Sequence, residues 1–156
     1  MTETARIADE LRRAFDGEAW HGDSLFKILK GVTAEQAAAR PIENAHSIWE
    51  LVLHIAAWEN AVRQRMTGVA VRLSAATNFP KVTDASEAAW KQALGYVRRT
   101  HKELIDDVKQ FRPKSLDKQV PGKKGADYNF RFMLHGLAQH AAYHGGQISL
   151  LKKSSP

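Results

Sequence analysis

Apolar positions recur along this chain at steps of three and four residues, the interval that lines one face of an α-helix. The pattern predicts four long helices. The first spans about 3–16, with Ile7, Leu11 and Phe15 on one face. The second spans about 47–67, opened by a Ser47–Glu50 capping box and closed by Gly68, with Leu51, His54, Trp58 and Val62 inward. The third, about 84–111, carries Trp90, Leu94, Val97, His101, Leu104, Val108 and Phe111 in a register suited to antiparallel bundle packing. The fourth, about 128–152, carries Leu137, His140, His144, Ile148 and Leu151. Shorter helical pieces are expected near 23–30, stopping at Gly31, and after a Thr33–Gln36 capping box, ending before Pro41. No segment shows the sustained period-two alternation of a strand. The expected fold is therefore all-α: a four-helix bundle with medium-length crossover connections over 69–83 and 112–127, short extra helices near the N-terminus, and one domain over 1–156.

Composition narrows the chemistry. No run of about 18 apolar residues exists, so no membrane-spanning helix is expected, and MTETARIADELRR lacks the apolar stretch of a signal peptide. The cytoplasm is the expected compartment. Cysteine is absent, so a bound metal must be held by nitrogen and oxygen. The net charge is +6 and the pI about 9.7. Its cationic residues, among them Arg63, Arg65, Arg98, Arg99, Lys123 and Lys124, are spread and read as solvated helix faces. With no nucleic-acid-reading motif, this balance points away from DNA or RNA and suits an anionic small-molecule substrate. A homodimer is the expected assembly, two-fold symmetry being the commonest among soluble oligomers.

The histidines change the picture most. His140 and His144 are one turn apart on an otherwise apolar stripe, and His54 occupies the same kind of position on the second helix. Each buried imidazole has a donor and an acceptor to satisfy. They are either core histidines bonded to protein groups or ligands of one divalent ion. The HExxH motif is absent, position 141 being alanine. His101 is either a further pocket residue or a satisfied bundle histidine. Glu50, one turn before His54, is either a catalytic base or fourth ligand, or simply the glutamate of its capping box. Gln147, close to His144, is placed to bond a bound water or to orient a ligand. His46 falls at a helix entry, His21 near a pocket mouth, and His135 off the stripe. Gly136, Gly145 and Gly146 inside a helix imply close approach of another helix or room for a ligand. Tryptophans 20, 49 and 90 are expected in the core, and Trp58 as a wall of the site.

Three stretches, FDGEAWHGDSLFKILKGVTAEQAAARP, HSIWELVLHIAAWEN and HGLAQHAAYHGGQISLLKK, together resemble the DinB-like proteins, which are damage-inducible metal-binding four-helix bundles. The resemblance implies that His54, His140 and His144 bind one divalent metal. The wider superfamily includes thiol-dependent S-transferases and a mycothiol-dependent isomerase, so the resemblance also implies a low-molecular-weight thiol as a cofactor class. The segment 69–127 matches no motif.

The sequence thus points to a metal-dependent enzyme that activates a low-molecular-weight thiol or water for transfer or hydrolysis at a three-histidine site. Zinc and nickel both suit three imidazoles. The competing readings are a non-enzymatic metal-binding bundle, which needs a closed four-ligand site, and a stress-response binding module, which needs a clustered basic face.

Overall fold

The computed structural model describes residues 1–125 and 128–154. Within them lie seven α-helices and no strand: α1 (Glu3–Asp16), α2 (Leu25–Leu29), α3 (Ala34–Ala38), α4 (Ile48–Met66), α5 (Ala75–Asn78), α6 (Glu87–Gln110) and α7 (Phe130–Ser154). A 3-10 turn, Pro113–Ser115, follows α6. The last two residues of the expected 112–127 connection lie outside the described residues. No described helix is long and apolar enough to cross a membrane.

The helix ends follow the capping logic of the sequence. Ser47 Oγ accepts from Glu50 N while Glu50 Oε2 accepts from Ser47 N, and Thr33 with Gln36 does the same at α3. Gly31 and Gly68, after α2 and α4, have φ of +78° and +96°, a backbone region only glycine enters freely. Asn129 Oδ1 accepts from Phe132 N at the start of α7.

Four long helices form the bundle. α4 packs on α6 and α7, and α1 packs on the same two, so α1 and α4 face each other across a diagonal. Phe15, Trp49, Trp90 and Ile148 share one apolar cluster, while Ile7, Val62, Val108 and Leu134 share another. These memberships fix the directions: α1 and α7 run one way, α4 and α6 the other. The third long helix is thus antiparallel to α1 but parallel to its neighbour α4, where sequence periodicity suggested antiparallel packing. Periodicity fixes which face is buried but not chain direction. A parallel neighbour requires a return connection along the bundle, and residues 67–86, with α5 on them, provide it.

The small helices close one end. Trp90 Nε1 donates to Val32 O at 2.9 Å, and Lys152 Nζ donates to Ile28 O and Lys30 O at 2.9 and 2.7 Å. Gly145 admits α2: a Cβ there would lie 3.3 Å from Ile28 Cδ1. Trp20, expected in the core, is fully exposed. It stands in the loop after α1, where no element covers it.

A layer of buried polar residues separates the two apolar clusters: His54 and Glu59 on α4, Thr100 and His101 on α6, His144 on α7. His101 Nδ1 lies 2.7 Å from Glu59 Oε1, and its ring stacks on Phe15 at 3.6 Å. Burial pushes the Glu59 carboxyl above its usual range, against the opposing pull of His101. Glu59→Ala strands the His101 ring and should cost about 3 kcal/mol. The double replacement Glu59→Met with His101→Leu should recover most of that loss in urea unfolding. A double variant as unstable as the single would show that the pair contributes more than its mutual satisfaction.

Candidate metal centre

α4 and α7 cross so that their inward stripes meet at the polar layer. His54 and His144 are 5% and 6% exposed, and His140 is half-buried. The Nε2 atoms of His54 and His144 each lie 3.0 Å from Nε2 of His140. One ligand atom from each histidine falls within 4.8 Å of the others, so the three could hold a metal ion.

The rings are held from behind. His54 Nδ1 donates to the backbone carbonyl of Asn78 at 2.8 Å, and His144 Nδ1 donates to Gln147 Oε1 at 2.6 Å. A proton on Nδ1 leaves an unshared pair on Nε2, so both rings present acceptors to His140. His140 Nε2 carries at most one proton for two short contacts. Protonating a ring is no remedy. Burial drives His140 down to about 3 from the ordinary 6.5, and the neighbouring His144 and His54 push the same way. Burial also lowers His54 and His144. The three imidazoles are therefore neutral at pH 7, the state in which histidine binds metal. A tetrahedral ion with bonds of about 2.0–2.1 Å sets its nitrogens about 3.3 Å apart, so the observed separations need open only slightly.

The connection between α4 and α6 completes the wall. Phe79 stacks on His54 at 4.1 Å and on His46 at 3.7 Å. Trp58 Nε1 donates to Asn78 Oδ1 at 2.9 Å, tying the same loop to α4. Asn78 thus fixes His54 with its main chain and Trp58 with its side chain. Over 69–83 the sequence pattern predicts only a crossover connection; the Ser74–Thr77 cap that starts α5 is the local signal for more.

A cavity of about 380 Å³ adjoins the histidines. Trp58, Tyr128, Phe132, Met133, Gly136 and Tyr143 are among its walls. A Cβ on Gly136 would meet nothing within 4 Å, in keeping with space left beside the centre. Trp58 lies between the histidines and the rest of this lining. Gln147 orients His144 and is absent from the cavity lining.

The other candidates lie elsewhere. Glu50 is consumed by its cap and by an ion pair with Arg40, and it does not line the cavity. His101 belongs to the Glu59 pair on α6 and is also absent from it, since α6 packs on the far side of α4 from α7. His21 lines a separate depression with Trp20 and Arg13. His135 pairs with Glu10, and His46 sits at the α4 entry beside Glu50. Arg65, read as a solvated cation, is 2% exposed. Its position seven residues after Trp58 continues the inward stripe and is the signal that could have placed it.

The depressed histidines set a pH dependence. Their folded pKa values lie below the unfolded 6.5, so below that pH the unfolded chain takes up protons that the folded chain refuses. Metal-free protein should lose stability as pH falls from 6.5 toward about 3, the folded value of His140. Urea midpoints between pH 6.5 and 5, above most carboxylate titration, should drop, and the slope should shrink in His140→Leu. An unchanged slope in that variant would sink the assignment.

Comparison with known proteins adds the family. Neither the curated proteins nor the solved structures offer a match. The family model of the DinB superfamily matches residues 19–148, which include all three histidines, the whole of α4 and most of α7. With a match over most of its length, the chain belongs to the DinB superfamily.

Proposed function

We propose that His54, His140 and His144 bind one divalent ion, zinc or nickel, and that the site is catalytic, acting on a small molecule in the adjoining cavity. The observation that carries this reading is the convergence of three neutral imidazole nitrogens beside that cavity. A bound ion would supply Lewis acidity, lowering the pKa of a thiol or water so that it attacks at neutral pH. The chain has no cysteine, so any thiol comes from a small molecule. Asn78 and Gln147 fix the tautomers of His54 and His144 and aim their Nε2 atoms. Trp58 and Met133 give the cavity apolar walls beside the histidines. No aspartate or glutamate is among the cavity's described lining residues. Among the described residues no carboxylate base is offered there, consistent with a nucleophile activated by the ion itself. The reaction is transfer to, or hydrolysis of, a small electrophile. Three ligands also argue against a closed structural site, since no fourth His, Asp or Glu joins them among the described residues.

Untagged protein should take up one ion per chain, measured by elemental analysis after titration and dialysis. Any one of the His54→Ala, His140→Ala and His144→Ala replacements should weaken uptake by at least about a hundredfold. Gln147→Leu, which only frees the His144 ring, should weaken it by about tenfold. Excess metal at about 100 times its dissociation constant should stabilise the fold by roughly 2.7 kcal/mol. The metal-free chain should keep its helical circular dichroism, because two apolar clusters hold the four long helices together without the ion.

Catalysis is tested on cobalt-substituted protein. Small thiols should produce a thiolate-to-cobalt charge-transfer band, and thiol transfer to a reactive electrophile should follow. A band that no thiol or anion can induce would instead favour a non-enzymatic metal-binding bundle.

A further inference from the structure

Arg65 stands on α4 about two turns beyond Trp58 and is almost wholly buried. Its Nε and Nη2 both donate to a single acceptor, Val71 O, at 3.3 and 2.8 Å. Its Nη1 is buried with no partner. Among the described residues no carboxylate pairs with it. Guanidinium stays charged at any working pH, and a buried charge held by one neutral carbonyl is left uncompensated. The guanidinium carbon lies 5.5 Å from the Trp58 ring, and that ring also neighbours His140 and His54, at 6.0 and 6.4 Å between ring centres. Arg65, Trp58 and the three histidines line the same cavity.

Arg65 is not isolated. Lys123 Nζ lies 5.0 Å over the ring of Tyr128, another wall of the cavity. Burial depresses Lys123, and the charges of Arg65 and Arg72 depress it further. Arg65 therefore lines a cavity that has no acidic lining residue among those described, and Lys123 lies over the ring of Tyr128, one of its walls. An uncompensated buried cation there raises the energy of the empty site and lowers that of a bound anion.

We infer that Arg65, supported by Lys123, is the recognition site for a carboxylate on the substrate or thiol, whose other end reaches the histidine centre. The inference rests on the metal reading for the identity of that other end only; the anion site stands on the arginine. Trp58 sets the distance between the two, so a molecule carrying both groups needs a short spacer. The planar fork of arginine matches a carboxylate, which an ammonium in its place would not.

The test compares ω-mercapto carboxylates of three to six carbons with their amides, which keep size and remove charge. The probes are titrated against cobalt-loaded full-length protein. The longer carboxylates should bind at least about tenfold more tightly than their amides. Arg65→Gln, at unchanged cobalt content and circular dichroism, should abolish that preference, and Lys123→Gln should reduce it about threefold. Carboxylate and amide binding equally well to the unaltered protein would overturn the inference, as would a preference that survives Arg65→Gln. Should Arg65→Gln fail to fold, Lys123→Gln decides, an unchanged preference counting against the site. Failure of the metal reading is seen separately, as absent cobalt. In that case hexanoate against hexanamide, compared by thermal shift on the same protein, still decides the anion site.

Discussion

Three imidazole nitrogens 3.0 Å from one another in sequence cannot all be satisfied by protons. His54 and His144 have spent their protons on Asn78 and Gln147, and His140 has one to share between two acceptors. Adding a proton is opposed by burial, which holds His140 near 3. A divalent cation, which binds unshared pairs directly, could satisfy all three. Two different helices are locked into this arrangement, so the frustration is built by tertiary structure and not by any one segment.

The up-down-down-up course of the bundle makes that possible. Because α6 runs parallel to α4, the chain must travel back along the bundle between them, and it uses the journey to press Asn78 and Phe79 against His54. An antiparallel α4–α6 hairpin with a short turn would have left His54 Nδ1 without that carbonyl. The same return carries Val71, the only acceptor Arg65 finds among the described residues. One connection thus sets the tautomer of a metal-ligand candidate and the position of a buried cation.

The helices and their boundaries were legible because amphipathic period and caps are local signals, as Ser47–Glu50 and Gly68 show. The pairing of His54 with His140 and His144 was legible in part from stripe positions and in part from resemblance. Chain direction was not, since inward stripes look alike in parallel and antiparallel neighbours. Asn78 acts through its main-chain carbonyl, a group that residue identity does not advertise. Arg65 looked like a surface cation because its type outweighed its register. Glu50 shows the converse: its position beside His54 suggested chemistry, but the local cap and Arg40 satisfied it first.

The polar layer holds two kinds of buried histidine, and their contrast separates structure from function. His101 has a carboxyl partner: Glu59 faces it at 2.7 Å, Phe15 stacks on its ring, and the pair sits where α1, α4 and α6 meet, with Glu59 Oε2 and His101 Nε2 left buried without partners. Such a pair can be exchanged for apolar side chains because each member exists for the other. His54, His140 and His144 have no carboxylate partner among the described residues, repel one another's protonated forms, and border open space. Arg65 repeats the pattern with opposite demand, a buried cation awaiting an anion along the same wall. A fold selected for stability alone has no reason to keep an unpaired base set and an unpaired cation on one cavity. On the reading proposed above, a divalent ion would satisfy the bases, and a carboxylate on a molecule bound to that ion would satisfy the cation.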